Sequence, residues 1–237
     1  MAEKLGDPPD GADGGDAFED DVRTQMARIY GGHIVPVEDI PWNRPEPPGL
    51  LVDLVESGKV APCKAIDLGC GAGNYAIYLA SRGFSMTAVD ISPRAIEIAR
   101  QNASRKGVEC VFISADLLGD LEELGQGFDF AYDWELLHHL FPEQRKKYVE
   151  NVSRLLNPGA KYFSVCFSEE DPQFGGKGKY RRTRLGTHLY FSSENELRQL
   201  FSQHFKILDL RTVEITAESG SHSVIYAFME KKLSRQG

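Results

Sequence analysis

The chain has 237 residues, 41% hydrophobic and 26% charged, which fits one globular domain with a sizeable core. No run reaches the roughly 20 apolar residues of a membrane span. Of the formal net charge of −8, residues 1–21 carry −7 (eight acids, one base), so the rest of the chain is nearly neutral and bulk charge does not indicate a nucleic-acid surface.

Residues 1–17 are acidic and rich in Gly and Pro. They cannot bury enough apolar surface to offset ordering entropy, and a disordered tail is expected rather than a secretory or transit peptide. Phe18, Val22, Met26, Ile29 and Tyr30 share one face of a helical period, and Gly31-Gly32 ends it. Five prolines between Pro36 and Pro48 mark an extended loop around Trp42. Leu50, Leu51, Leu54 and Val55 form a short amphipathic helix stopped by Gly58, so 18–58 reads as a helical lid segment on a single domain, 18–237.

From residue 64 the chain alternates. Strand-like runs at 64–68, 85–89, 108–113, 128–132 and 160–167 are separated by helical stretches. Ser92-Pro93 opens one helix, with Ile96, Ala99 and Ala103 on a face and Gly107 closing it. Pro142 opens another, broken by Asn157-Pro158-Gly159, and Ser193-x-x-Glu196 is a capping box before a third. Residues 168–190 read as a basic, Gly-rich insertion after the fifth strand. Runs at 205–213 and 222–230 have nothing helical between them and should pair antiparallel. The pattern predicts an α/β fold: a doubly wound, mostly parallel sheet with helices on both faces.

The central chemical signal is Asp67-Leu68-Gly69-Cys70-Gly71-Ala72-Gly73. Glycines at alternate positions between a strand and a helix allow a tight turn and close approach of a ligand to open N–H groups. Asp90 ends the second strand, where an acid accepts hydrogen bonds from ribose hydroxyls. Asp116 follows the third strand, in position for an adenine amino group, and Asp133 ends the fourth. Four strands in succession thus end in Asp, and the carboxylates are expected to gather at one rim. The turn lacks the GK[ST] ending of a phosphate loop. An acid at position 67 opposes a pyrophosphate but suits a ligand bearing an ammonium and a sulfonium.

Asp67-x-Gly-x-Gly-x-Gly73, Ala88-Val89-Asp90-Ile91-Ser92, Ala115-Asp116-Leu117 and Leu155-Leu156-Asn157-Pro158-Gly159 resemble the successive motifs of class I S-adenosylmethionine-dependent methyltransferases. The resemblance covers about residues 48–230. It implies a Rossmann-like seven-stranded sheet whose last strand is antiparallel, with S-adenosylmethionine as methyl donor and S-adenosylhomocysteine as product. In that pattern the turn Gly69, Cys70, Gly71 and Gly73 holds the methionine part and Asp67 organises its amino group. Asp90 takes the ribose, Ile91 lies against the adenine face, and Asp116 and Leu117 contact the adenine edge. Pro41-Trp42 and Asp133-Trp134-Glu135 look similar to the thiopurine, thiol and tellurite-resistance branch, whose acceptors are small soft nucleophiles.

Methyl transfer is an in-line displacement, and a base is needed only if the acceptor arrives protonated. Candidates at the fourth strand's end are Asp133, Glu135, His138 and His139, with Asp133 preferred because it ends the strand and could equally bind a substrate cation. The histidines are expected on the following helix. Tyr30, Trp42 and Trp134 are candidates to line an acceptor pocket. The basic segment Lys177–Arg184 reads as a solvated lid, with Glu169, Glu170 and Asp171 available to pair with it, the other reading being recognition of an anionic substrate or RNA. Cys63, Cys70, Cys110 and Cys166 lie far apart with no zinc spacing, so neither disulfide framework nor metal site is expected, and a reducing cytoplasm is the default. The resulting expectation is a cytoplasmic methyltransferase, monomeric or homodimeric, acting on a small molecule. The rivals are an RNA or protein methyltransferase and a non-catalytic protein that binds S-adenosylmethionine.

Overall fold

A computed structural model describes residues 22–217 and 220–233; the expected acidic tail and Phe18 lie outside them. Helices are α1 (Val22–Tyr30), α2 (Gly49–Glu56), α3 (Asn74–Ser81), α4 (Pro93–Lys106), α5 (Pro142–Leu155) and α6 (Glu194–Phe201). Strands are β1 (Lys64–Leu68), β2 (Ser85–Asp90), β3 (Val111–Ser114), β4 (Phe128–Trp134), β5 (Leu156–Phe167), β6 (Tyr180–Arg182), β7 (His188–Tyr190), β8 (Phe205–Ala217) and β9 (Gly220–Lys231).

Seven strands form one sheet in the order β3-β2-β1-β4-β5-β9-β8. The first five are parallel, and β9 runs antiparallel between β5 and β8. The pleat sorts the core into two layers. Ala65, Ala88, Phe130, Tyr132 and Phe163 face α2, α3 and α4, while Ile66, Val89, Ala131, Tyr162 and Ile225 face α5 and α6. Buried central strands account for the near-continuous apolar runs that mark them in sequence. The seven-stranded, mostly parallel sheet with helices on both faces is the architecture expected. Among the described residues no helix is long and apolar enough to cross a membrane.

Three local expectations change. β3 starts at Val111 rather than 108, because Gly107 (φ 65) caps α4 and the Val108 N–H returns to the Ala103 carbonyl at 3.1 Å; the next residues serve to reverse the chain. Asn157-Pro158-Gly159 does end α5, yet β5 begins at once. The register then passes from Phe128↔Leu156 to Phe130↔Lys161, so the three residues form a bulge inside the strand. His138 and His139 lie on a single 3-10 turn, Leu137–His139, ahead of α5.

Segment 168–190 folds on itself as the β6–β7 hairpin. Arg181 is buried and donates to the carbonyls of Glu169, Asp171, Gln173 and Gly178. Lys179 pairs with Glu169 at 3.1 Å and Glu196 at 2.5 Å. Of the three acids expected to pair with the basic segment Glu169 does so, while Asp171 meets His222 instead, and the element is braced rather than loosely solvated. Leu185 at the hairpin tip packs on the cluster of Met26, Ile29, Tyr30 and Ile40. The N-terminal segment and the hairpin therefore meet over the carboxyl ends of the parallel strands.

Candidate active site

The glycine turn after β1 is pinned to its neighbour: the N–H groups of Gly69 and Cys70 both donate to the Val89 carbonyl, at 2.8 and 2.9 Å. Gly71 has φ 52, and a Cβ there would sit 2.5 Å from the Tyr30 hydroxyl oxygen; only glycine lets α1 close on the turn. A Cβ on Gly73 would meet Ala99 and Phe112 at 2.8 Å, so this glycine sets how closely α3 packs on α4.

Asp90 ends β2 beside this turn. Its Oδ2 accepts the Gly71 N–H at 2.9 Å and its Oδ1 accepts the Ser92 N–H at 2.8 Å. Burial raises its pKa, and the two N–H donors pull it back. Ser92 in turn caps α4. The Ala115 N–H donates to the Asp90 carbonyl at 3.1 Å, which brings Asp116 alongside. Asp116 Oδ1 accepts the Leu118 N–H at 2.9 Å, and the Leu117 carbonyl is held by Asn151 at 2.9 Å. Ile91 packs with the α1 cluster. The Cys70 thiol is pushed well up by burial and by Asp67 and Asp90, so it remains a thiol.

Asp67 is 3% exposed, and the Tyr132 hydroxyl donates to its Oδ2 at 2.7 Å. Burial, with Asp90 and Asp133 adding, pushes its pKa up to about 8. A buried carboxylate this poorly compensated fits a ligand that brings a positive charge. Asp67, Asp90 and the glycine turn thus match the donor set a cationic nucleoside requires.

Asp133 does not share that rim. It is fully buried on the α5 side of the sheet, where the hydroxyls of Tyr148 (3.0 Å), Ser164 (2.9 Å) and Tyr162 donate to it. Burial raises its pKa to about 6 against the pull of those hydroxyls. The expectation that it acts as catalytic base or cofactor contact is therefore corrected: the pleat turns odd positions of β4 away from Asp67. Trp134 leans on Phe163 with ring centroids 6.3 Å apart, so it packs on the α3 side as part of the core wall.

Glu135, another of the sequence candidates, lies just beyond the end of the strand. It follows β4 directly, tied by its N–H to the Val165 carbonyl at 2.8 Å, and has φ 62. Burial lifts its pKa to about 7, opposed by His222, the Trp134 side chain and Arg44. Tyr75 at the start of α3 feels both Glu135 and Asp67, which joins the acidic turn to this end of β4.

An aromatic wall runs from the cap toward the hairpin. Trp42 Nε1 donates to the Tyr30 hydroxyl at 3.0 Å, and the Trp42 ring meets His139 edge-on at 6.3 Å. His138 stacks on Phe167 at 4.4 Å. Burial depresses the pKa of both histidines, that of His139 to about 4, so they are neutral. His138 Nδ1 is buried with no hydrogen-bond partner. Beyond Phe167, His222 Nδ1 meets Asp171 Oδ2 at 3.0 Å. The sequence offered Asp171 only as a partner for the basic segment and did not point to His222; the signal for their meeting is that an antiparallel strand begins at the rim where the parallel strands end.

Known proteins agree with this geometry. A family model described as a methyltransferase domain matches residues 65–159. A 2-heptyl-1-hydroxyquinolin-4(1H)-one methyltransferase of Mycobacteroides abscessus is 28% identical over 177 residues, covering 75% of this chain and 73% of that protein. An uncharacterized methyltransferase of Schizosaccharomyces pombe is 30% identical over 131 residues, 55% of this chain and 86% of that one. A solved structure from work on the conversion of a disulfide bond into a thioacetal group during echinomycin biosynthesis has a TM-score of 0.73 at 23% identity, covering 87% of this chain and 91% of that one. Sheet order and acid-flanked glycine turn together define a nucleoside-binding α/β enzyme. The chain belongs to the class I S-adenosylmethionine-dependent methyltransferases.

Proposed function

We propose that this enzyme methylates a small molecule at a hydroxyl or thiol. The observation that carries this reading is the roof: Leu185 of the hairpin packs on the α1 cluster that includes Tyr30, and Tyr30 lies directly against Gly71 of the glycine turn. A rim roofed in this way suits a compact acceptor better than an extended RNA or protein surface. The engagement of Arg181 and Lys179 with carbonyls and carboxylates supports the same choice. The hydroxyquinolone acceptor named for the mycobacterial relative is small and carries an ionisable N–OH group.

S-adenosylmethionine, when bound, supplies a methyl group on a positively charged sulfur. Asp67 would take its ammonium group, Asp90 its ribose hydroxyls and Asp116 its adenine amino group, with the Gly69–Gly73 turn against the methionine part. Tyr30, Trp42 and the His138–His139 turn enclose the acceptor side and exclude water. Alignment of this kind is worth roughly 7–11 kcal/mol in favourable systems. A reducing, cytoplasmic setting is consistent with the free cysteines Cys63, Cys70, Cys110 and Cys166.

Incubation with S-adenosylmethionine labelled in its methyl group tests the reading, using a metabolite extract, total RNA and total protein as separate acceptors. Label should enter the small-molecule fraction. Label in RNA or protein overturns the acceptor class, and binding of S-adenosylhomocysteine without transfer to any fraction favours a non-catalytic binding protein.

A further inference from the structure

Among the described residues, two buried side-chain polar atoms have no hydrogen-bond partner, the Tyr78 hydroxyl and His138 Nδ1. Tyr78 lies within α3, whereas His138 follows β4 at the carboxyl end of the parallel strands. An orphaned atom of this kind is unfavourable, and its place at the rim calls for a reason. The ring is held where it is. It lies flat on Phe167, with 4.4 Å between centroids and 9° between planes. Phe167 lies flat on Phe191 at 5.3 Å and 12°, and the Arg181 guanidinium covers Phe191 at 3.9 Å. Arg145 from α5 clamps the turn itself: its Nη2 donates to the Leu137 carbonyl at 2.9 Å and its Nε to the Leu140 carbonyl at 2.7 Å, on either side of His138-His139. His138 also meets the His139 ring at 4.8 Å, and from there the row of rings runs through Trp42 and Tyr30 to Gly71. Nδ1 is thus a fixed polar point on a wall that begins at the glycine turn.

The charge around this point is positive. Arg145 and Arg181 are both buried, and their hydrogen bonds go to carbonyls and to the Ser192 hydroxyl, with no carboxylate among them. The acids of this region have partners of their own. Asp133 is held by three hydroxyls, Glu196 pairs with Lys179, and Asp171 takes His222 and the N–H groups of Ser223 and Gln173. Glu135, the acid nearest in sequence, faces Tyr75, Arg44 and His222. The groups that face His138 are His139 on its own turn, Arg145 on α5 and His222 on β9; with burial leading, they keep its imidazole neutral. A neutral ring in such surroundings gives a hydrogen bond without taking up a proton.

We propose that His138 is the acceptor-binding residue of this enzyme, its Nδ1–H donating to the nucleophilic atom of an acceptor that enters already ionised, as a thiolate or an acidic oxyanion. The inference rests on the methyl-transfer reading above. A lone pair of the anion forms the bond to the methyl carbon. The pair of the broken carbon–sulfur bond stays on the donor sulfur, which becomes a neutral thioether, and the two opposite charges cancel. The acceptor's proton has gone to solvent before binding, so no base in the site carries it. Burying an anion is costly unless it is paired and hydrogen-bonded; the sulfonium, the His138 N–H and the field of Arg145 and Arg181 meet both needs. The site then selects by acidity: of two acceptors alike in size, the more acidic is preferred at neutral pH.

Ultraviolet absorbance of benzenethiol in the ternary complex with S-adenosylhomocysteine tests this without turnover. The bound probe should show the thiolate band, with an ionisation midpoint about one unit or more below its value in water. His138→Phe keeps a ring on Phe167 and removes the N–H. It should return the midpoint toward that of water and weaken benzenethiol about tenfold or more. Affinity for S-adenosylhomocysteine should be retained and Tm should not fall, because an orphaned polar atom has gone. His138→Asn, which brings an amide N–H near the place of Nδ1, should restore part of the shift. In turnover the pH midpoint of kcat/KM should follow the acceptor, falling when 4-nitrobenzenethiol replaces benzenethiol. A bound thiol that stays protonated overturns the proposal, as does a shift indifferent to His138→Phe or the failure of both thiols to bind. A kcat/KM midpoint common to the two thiols marks a base on the enzyme and overturns it too. Failure to bind S-adenosylhomocysteine at all overturns the methyl-transfer reading; its tight binding beside a protonated thiol overturns the role of His138 alone.

Discussion

The Tyr132 hydroxyl on β4 donates to Asp67 Oδ2 on β1 at 2.7 Å, a hydroxyl dipole set against a buried carboxylate. That contact lowers the pKa of Asp67, but burial outweighs it and the value rises from 3.8 to about 8.

Between those two values the folded protein holds a proton that the unfolded chain has released. The stability Asp67 contributes is fully present below the ordinary 3.8 and is lost as the pH climbs through about 8. A ligand ammonium favours the ionised form and expels the proton. Affinity for S-adenosylhomocysteine should therefore rise between pH 6 and pH 8, by at most about tenfold per unit, and level off above. Calorimetry in buffers of different ionisation enthalpy should register proton release, and Asp67→Asn should abolish both effects.

Asp90 couples the donor site to the fold. Asp90→Ala removes the acceptors of the Gly71 and Ser92 N–H groups, each orphaned donor costing about 1–3 kcal/mol. We expect affinity for S-adenosylhomocysteine to fall at least about 100-fold together with a lower Tm. A thermal melt run beside the calorimetry separates the two effects.

At Asp133 the sequence pointed to a loss of turnover, whereas the hydroxyls of Tyr148, Tyr162 and Ser164 on its oxygens make it a structural anion. Asp133→Asn turns an amide nitrogen toward a hydroxyl donor. The loss should be about 1.5–3 kcal/mol, the worth of one hydrogen bond to a charged group, lowering Tm by about 3–12 °C. Turnover per folded molecule should be unchanged.

The roof should open from either side. Trp42→Phe removes the donor to the Tyr30 hydroxyl, at about 0.5–1.5 kcal/mol, and Leu185→Ser removes the hairpin's apolar contact with the α1 cluster. Both should speed hydrogen exchange at the amides of Met26, Ile29 and Tyr30 and raise KM for the acceptor. Unchanged exchange in Leu185→Ser would show that hairpin and cap move separately.

The turns that gather Asp67, Gly69, Gly71, Gly73 and Asp90 were legible in the sequence because they are local: each joins a strand to a helix at the carboxyl end of a parallel sheet. The surroundings of the fourth strand's end were not. Asp133 looked like a rim residue because strand position was read without the pleat, and the tyrosines that claim it come from α5 and β5. His222 and Asp171 are distant in sequence and meet only when β9 inserts beside β5. Glu135 was among the candidates, but its left-handed backbone is set by tertiary context. Helix ends marked by Pro or Gly were placed closely, while Asn157-Pro158-Gly159 carried no sign that a strand would begin around it.

The insertion of β9 between β5 and β8 has a consequence for how the enzyme comes into being. During synthesis the glycine turn, Asp90 and Asp116 are made well before β9, and β8 has no neighbour to pair with until β9 arrives. The half of the sheet that carries those turns can therefore pair strand by strand as it is made, while the other half closes only when β9 slots between two strands already present.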